Sequence, residues 1–337
     1  MQTIQRYLRQ YRDEIKGFAI LWVVFFHAQL GLEGLLYDVQ RIGYGGVDIF
    51  FFLSGFGLYH SLQKNSSLKG YFVRRAKRLL PSYWPFCIIW LAVMIPLTWK
   101  GIRGAAHMAL GNLLMFGYWT GASFTINWYV SAMAASLVLA PLLVRMIKEG
   151  KHIWLRTLLI LAGAVGVGLL FVGNAKYMAI SRLPVMILGM IFARKVSEER
   201  KLRWFPAFLA LTALAGTALL FICLERFEDQ LILYGLYWHP FVLITPGLCV
   251  GLGWIAAKVP AFISARLKIL GKASFEIFLF NVWIELLGKR FGLADGPVSW
   301  LAWSMASIVA GILYYLTISR TRLKRNRLCL EKSSQKG

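Results

Sequence analysis

The sequence predicts an all-α membrane protein that crosses a lipid bilayer about ten times, with both termini in the cytoplasm. Of its 337 residues, 58% are apolar and 16% are charged, whereas soluble domains average about 25% charged residues. The apolar residues fall into long blocks, which lipid accommodates better than a soluble core does. The connections between the apolar blocks are alternately rich and poor in lysine and arginine. This alternation predicts how the chain is oriented in the membrane.

Ten apolar blocks approach the roughly 20 residues that a transmembrane helix needs. The block 180–195 is the weakest of them, and the additional apolar stretch 107–119 is short enough to be re-entrant or interfacial. The first block follows a basic N-terminus and lacks a small-residue cleavage site, so we expect an uncleaved span. The predicted spans are 15–32, 44–62, 82–99, 126–147, 155–173, 180–195, 205–223, 237–257, 273–290 and 297–319.

Positive charge tests this span count. The two termini and the even-numbered connections hold 30 of the 38 lysines and arginines, as cytoplasmic segments do. Residues 1–320 are therefore predicted to form the transmembrane domain, and 321–337 a basic cytoplasmic tail. The net charge of +23 is assigned to the lipid surface, so no nucleic-acid partner is expected. The four cysteines show no Cys-x-x-Cys spacing, which predicts neither disulfides nor a metal site.

The first span carries two ionisable residues, Lys16 and His27, eleven positions apart. A helix places them on nearly one face, about 16 Å apart along its axis. Ionisable groups at membrane depth are costly and often functional. The alternative is a lysine anchored at the membrane rim and a histidine bonded to a neighbouring helix, and the spacing alone leaves both interpretations open.

The second span contains Asp48, Ser54 and Gly55 within an apolar run. Because this span runs antiparallel to the first, Asp48 is expected at the depth of His27, where a carboxylate would orient the imidazole. Ser54 and Gly55 would allow close approach of a helix or a thin ligand. The alternative is ordinary helix packing with Asp48 hydrated at the interface.

A basic segment precedes the third span, and its Arg75 and Arg78 lie three positions apart, hence on one helical face. Pro81 is expected to end that helix or to begin the next span. Clustered guanidinium groups suit phosphates, although composition alone favours the alternative, anchoring to anionic lipid.

Other polar residues near span ends are weaker candidates. Trp128, Arg182 and His239 are predicted on the side of His27, and Glu276 on the side of the basic segment. For each of these residues taken alone, the simpler explanation is anchoring at the membrane surface or a hydrogen bond between helices.

Together these stretches resemble the membrane acyltransferase family called acyltransferase 3, over about residues 10–320. Three matches carry the resemblance, and the segment Trp-Tyr-Val-Ser-Ala-Met is similar to the branch that contains polysaccharide and glycolipid O-acetyltransferases. Two positions depart: many members have a glutamate where this chain has Met133, and many have a histidine where it has Asn281. Either these positions are not essential here or the subfamily differs. The matched residues are Lys16 and His27 for a basic residue and a histidine with ten residues between them, the segment Phe51-Phe52-Leu53-Ser54-Gly55-Phe56 for the family's Phe-Phe and Ser-Gly-Phe segment, and Arg75 and Arg78 for Arg-x-x-Arg before a proline.

The resemblance implies an O-acyltransferase in a bacterial cytoplasmic membrane, with no permanently bound cofactor. The donor would be a cytoplasmic acyl-CoA, expected to be acetyl-CoA. The acceptor would be a hydroxyl of a surface polysaccharide, a glycolipid or an exported carbohydrate. His27 and Asp48 would be catalytic; the donor would bind at Lys16, Ser54, Gly55, Arg75 and Arg78; and Trp128, Arg182 and His239 would face the acceptor.

Two other functions fit a chain with many spans and intramembrane charges. One is a transporter or flippase for a lipid-linked sugar, and the other is a membrane scaffold without catalysis. The sequence leaves open the acceptor, the acyl length, the choice between direct transfer and an acyl-histidine, and the oligomeric state.

Overall fold

A computed structural model of the chain describes residues 2–64, 67–122, 128–148, 153–171, 174, 176–197, 204–226, 239–292 and 296–334. Within these ranges the chain forms helices and no strands, which confirms the all-α prediction. The helices are α1 Gln2–Gln10, α2 Arg12–His27, α3 Gly34–Arg41, α4 Gly45–Lys64, α5 Leu68–Leu97, α6 Gly101–Leu113, α7 Gly117–Thr120, α8 Trp128–Lys148, α9 Ile153–Leu170, α10 Tyr177–Ile180, α11 Leu183–Ser197, α12 Phe205–Arg226, α13 Pro240–Ala256, α14 Ala261–Lys272, α15 Ser274–Arg290 and α16 Pro297–Ser334.

Several of these helices are able to cross a membrane. In the described ranges, five helical segments are long and apolar enough: α5, α8, α10 together with α11, α12, and the first 25 residues of α16. The pair α3 and α4, bent by 40°, makes a sixth when it is counted as one span. Leu155–Leu170 and Pro240–Ala256 are apolar but shorter. The chain is therefore a multi-pass membrane protein.

Helix α4 lies at the centre of the helix bundle. It is buried on nearly all sides from Gly45 to Leu53 and packs against α2, α8, α11 and α13. A helix that is apolar all round has to be enclosed by other helices. Its polar residues Asp48 and Ser54 are consequently held inside the bundle rather than on its lipid face.

Glycines set the distance between α4 and α11. A Cβ added at Gly55 would collide with the backbone carbonyl of Met186, and one added at Gly189 would collide with that of Phe52. Small residues at such contacts let helix backbones approach closely in a membrane. The predicted packing role of Gly55 is confirmed by this contact.

Helix α5 differs from the prediction made for its prolines. It runs without interruption from Leu68 to Leu97 and contains Pro81, Pro85 and Pro96. Pro81 thus neither ends the basic helix nor begins a separate span. Prolines are tolerated in membrane helices because neighbouring groups satisfy the backbone groups that they free. The continuous helix joins Arg75 and Arg78 rigidly to the apolar segment.

Two predicted spans are interrupted. The span 15–32 corresponds to α2, which ends at His27, where Gln40 of α3 donates from Nε2 to the carbonyls of Phe25 and Ala28. The span 180–195 is divided between α10 and α11, with Arg182 in the turn between them. The stretch 107–119 is also divided, between α6 and α7. The first two residues of the predicted span 126–147 and of the predicted span 237–257 lie outside the described ranges.

The α4–α11 contact predicts opposite effects for two glycine substitutions. Gly55→Ala should lower the melting temperature in detergent, because its Cβ has no room beside Met186. Gly163→Ala in α9 is the control, since a Cβ there meets nothing within 4 Å and alanine is the better helix former by about 1 kcal/mol. Equal melting temperatures for the two variants would contradict this account of the contact.

Candidate active site

Helix α2 holds Lys16 at its contact with α14. Lys16 donates from Nζ to Asp13 Oδ1 at 2.6 Å and to the backbone carbonyl of Gly271 at 3.4 Å. Gly271 has no space for a Cβ because the carbonyl of Asp13 lies against it. The lysine is therefore fixed near the N-terminal end of the helix, and its ammonium group lies at the contact between α2 and α14.

A cavity of about 350 Å³ opens beside Lys16, a volume in the range of small-molecule sites. The structure brings together here Lys16, Ser54, Arg75 and Arg78, four of the five residues predicted to bind the donor. They come from three helices, α2, α4 and α5. The same cavity contains Met133, at the position where many family members have a glutamate.

Two basic residues of this cavity were missed in the sequence. Arg12 and Lys272 line the cavity with the predicted ones. Arg12 donates from Nη2 to the carbonyl of Leu53 at 3.1 Å. Its position four residues before Lys16 was a usable signal, because i and i+4 share a helical face. Lys272 lies at the end of α14, and no local pattern connects it with α2.

The cavity also contains a buried carboxylate. Glu276, in the first turn of α15, lines it and accepts a hydrogen bond from Ser82 Oγ at 2.6 Å. This confirms the prediction that Glu276 lies on the side of Arg75 and Arg78. The cavity lining contains two carboxylates, Glu276 and Asp13, and five basic side chains, so it carries an excess of positive charge.

Aromatic rings form the apolar part of the lining. Tyr129 of α8 contacts Phe278 with ring centroids 4.8 Å apart and Phe51 at 5.6 Å. Tyr129, Phe50 and Phe275 all line the cavity. Such a wall accommodates an uncharged chain beside the charged end of a ligand.

Gly55 is the predicted donor-site residue that lies elsewhere. Its Cα faces Met186 of α11, whereas its neighbour Ser54 is among the described residues that line the cavity. Consecutive residues of a helix point about 100° apart. Gly55 is turned towards α11 and instead serves the packing of α4.

Asp48 forms an ion pair with Arg182, so the expectation that its carboxylate orients His27 is wrong. Arg182 Nη1 donates to Oδ1 at 3.0 Å and to Oδ2 at 2.9 Å, and both side chains are fully buried. A buried carboxylate needs a charged partner to offset its desolvation. An arginine from the turn between α10 and α11 meets that need more strongly than an imidazole does.

The predicted acceptor-side residues lie close to this ion pair. The guanidinium of Arg182 lies over the rings of Tyr44 and Trp128, at 5.8 and 5.9 Å from their centroids. His239 Nδ1 lies 2.7 Å from the hydroxyl of Tyr177. Trp128 and Arg182 are thus brought together, while His239 contacts Tyr177, which belongs with Tyr44 to an adjoining hydrophobic cluster.

His27 lies at the opposite end of α2 from Lys16 and lines a second, much smaller cavity of about 10 Å³. Helix α15 packs against α2 and connects the same two places, since Glu276 lines the large cavity and Asn281 the small one. We call the small space the histidine cavity. It is lined by His27, Asn281, Ile284, Trp300, Trp303, Ser304 and Ser307.

Comparison with known proteins identifies the family. A family model described as an acyltransferase domain matches residues 10–318. The chain belongs to the acyltransferase 3 family. It is 41% identical over 71 residues to a putative acetyltransferase of Acidianus two-tailed virus, covering 21% of each chain. It is 31% identical over 118 residues to a peptidoglycan O-acetyltransferase of Listeria monocytogenes, covering 32% of this chain and 18% of that protein.

The chain spans about a fifth of the length of each of these two relatives. No solved structure matches it. The resemblance seen in the sequence is thus confirmed at the level of the family.

The ion pair between Asp48 and Arg182 predicts a large loss of stability on removal of one charge. Asp48→Asn should lower the free energy of unfolding by about 3–5 kcal/mol, because it leaves Arg182 charged and buried. Asp38→Asn is the control, since its pair with Arg41 is partly exposed and worth about 0–1 kcal/mol. Thermal unfolding in detergent measures both, and equal shifts would contradict the prediction.

Proposed function

We propose that the protein is a membrane O-acyltransferase that moves an acyl group, expected to be acetyl, from cytoplasmic acyl-CoA to a hydroxyl of a cell-surface polysaccharide, glycolipid or exported carbohydrate. The observation that carries the proposal is the placement of a basic cavity at one end of α2 and of His27 at its other end. The family and the names of the two relatives, both acetyltransferases, support it.

The large cavity is the proposed donor site. Its five basic side chains suit the phosphates of coenzyme A, because guanidinium and ammonium groups form strong charge-assisted hydrogen bonds with phosphate oxygens. Ser54 adds a hydroxyl, and the aromatic wall around Tyr129 suits the uncharged pantetheine arm. Glu276 gives the cavity one acceptor for an amide or hydroxyl of that arm.

In this proposal the pantetheine arm runs along α2 towards His27. Lys16 and His27 are eleven positions apart, which corresponds to about 16 Å of helix, a length comparable to that arm. His27 removes the proton from the acceptor hydroxyl, and the hydroxyl oxygen attacks the thioester carbon. The carbon–sulfur bond then breaks, and the departing thiolate takes the proton back from His27. Products are the ester and free coenzyme A.

The proposed topology has about ten spans with both termini in the cytoplasm, in a bacterial cytoplasmic membrane. Lys16, Arg75 and Arg78 then lie towards the cytoplasm, and His27 towards the outside. The excess of lysine and arginine in the termini and even-numbered connections supports this orientation. Asp48, paired with Arg182 beneath Trp128, is in this scheme a positioning residue for the acceptor end, as is His239.

Loss of the imidazole tests the catalytic role. His27→Ala should reduce acyl transfer from acetyl-CoA by at least 100-fold, the usual range for a general base, while the protein remains in the membrane. His107→Ala is the matched control, because His107 contacts Thr120 in the α6–α7 region away from both cavities. Transfer or hydrolysis of acetyl-CoA by purified protein is the measurement. Full activity of His27→Ala would contradict the proposal, as would substrate translocation without transfer.

Loss of one cavity guanidinium tests the donor site. Arg78→Ala should raise the KM for acetyl-CoA about tenfold or more, the effect of losing a charge-assisted hydrogen bond, with a smaller change in kcat. Arg74→Ala is the control, since this exposed arginine belongs to the same helix but lies outside the set that lines the cavity. An unchanged KM for Arg78→Ala would remove Arg78 from the donor site.

A further inference from the structure

The histidine cavity contains an amide oxygen that lacks a hydrogen-bond partner. Asn281 is 6% exposed, and its Oδ1 is buried without a partner among the described residues. The nearby hydroxyl of Ser307 donates instead to the carbonyl of Ser304 at 2.7 Å. A buried amide is costly unless something bonds to it. A ligand group or a water in the cavity would supply the missing bond.

The size of the cavity limits what that group can be. Its volume is about 10 Å³, which is close to the space that one water or one hydroxyl oxygen needs. An amide both donates and accepts, as a hydroxyl does. The walls next to it include Trp300 and Trp303, and indole rings provide flat apolar surface against the C–H face of a sugar ring.

We propose that Asn281 binds a second hydroxyl of the acceptor, next to the hydroxyl that reacts at His27, so that the site selects acceptors with two neighbouring hydroxyls. This inference rests on the proposed function and names its acceptor class as a carbohydrate ring with a vicinal diol. The reacting hydroxyl gives its proton to His27, and its neighbour donates to Asn281 Oδ1. His27 and Asn281 both line the histidine cavity, so the second hydroxyl can enter it beside Asn281 while the neighbouring hydroxyl of the same ring lies at His27.

A histidine at position 281 would also be able to bind a hydroxyl, because a neutral imidazole carries one donor and one acceptor. Replacement of one by the other preserves the ability to bind a hydroxyl. Position 281 is thus a positioning and specificity residue, whereas His27 is the catalytic residue.

The test compares two acceptors that differ by one hydroxyl. Purified full-length protein is given acetyl-CoA with trans-cyclohexane-1,2-diol, which mimics a sugar ring, or with cyclohexanol. Wild type should show a kcat/KM about tenfold higher for the diol, the usual effect of one hydrogen bond to a buried group. Asn281→Leu should lose this preference without a change in the KM for acetyl-CoA, and Asn281→His should keep it.

Asn112→Leu is the matched control. Asn112 is equally buried, but its Nδ2 donates to the carbonyl of Met108 in α6, so the variant should keep the preference for the diol whatever its stability. The inference would be overturned if wild type used both acceptors equally, or if the preference persisted in Asn281→Leu. It would also be overturned if wild type used neither acceptor although acetyl-CoA was turned over in a His27-dependent manner. Absence of any His27-dependent turnover of acetyl-CoA would instead contradict the proposed function.

Discussion

A charged side chain within a membrane has to be enclosed by protein and given partners, and the arrangement of the central helices follows from this constraint. Asp48 is satisfied by Arg182, which requires α4 and the turn before α11 to lie side by side. Lys16 is satisfied by Asp13 and by the end of α14. The two groups of charges belong to different helix contacts, that of α4 with the turn before α11 and that of α2 with α14.

Close packing makes these pairings possible. Lipid provides little hydrophobic drive for helices to associate, so association depends on short backbone distances and interhelical hydrogen bonds. Gly55 and Gly189 allow α4 and α11 to approach, and Gly17 and Gly271 do the same for α2 and α14. The glycines therefore serve the site indirectly, since they bring the helices that carry its charges into contact.

The parts of the site that depend on spacing within one helix were predictable from the sequence. Lys16, Ser54, Arg75 and Arg78 meet in one cavity, and helical periodicity with the family resemblance indicated each of them. Glu276 was assigned to the correct end from charge sidedness alone.

The parts that depend on contacts between distant segments were not predictable. Sidedness placed Asp48 at the same depth as both His27 and Arg182, and depth alone does not choose a partner. The turn that carries Arg182 lies within a stretch that reads as one apolar span. Likewise, Lys272 enters the cavity through the packing of α14 on α2, and the open amide end of Asn281 is visible only once α15 and α16 surround it.

In the proposed mechanism the donor stays on the cytoplasmic side while its acyl group reaches an acceptor on the other side. Sealed proteoliposomes test it most directly, with radiolabelled acetyl-CoA outside, a carbohydrate acceptor enclosed inside, and protein oriented with its termini outwards. We expect labelled ester on the enclosed acceptor while coenzyme A remains outside. The mechanism would be contradicted if the label appeared only on acceptor that is supplied on the same side as acetyl-CoA.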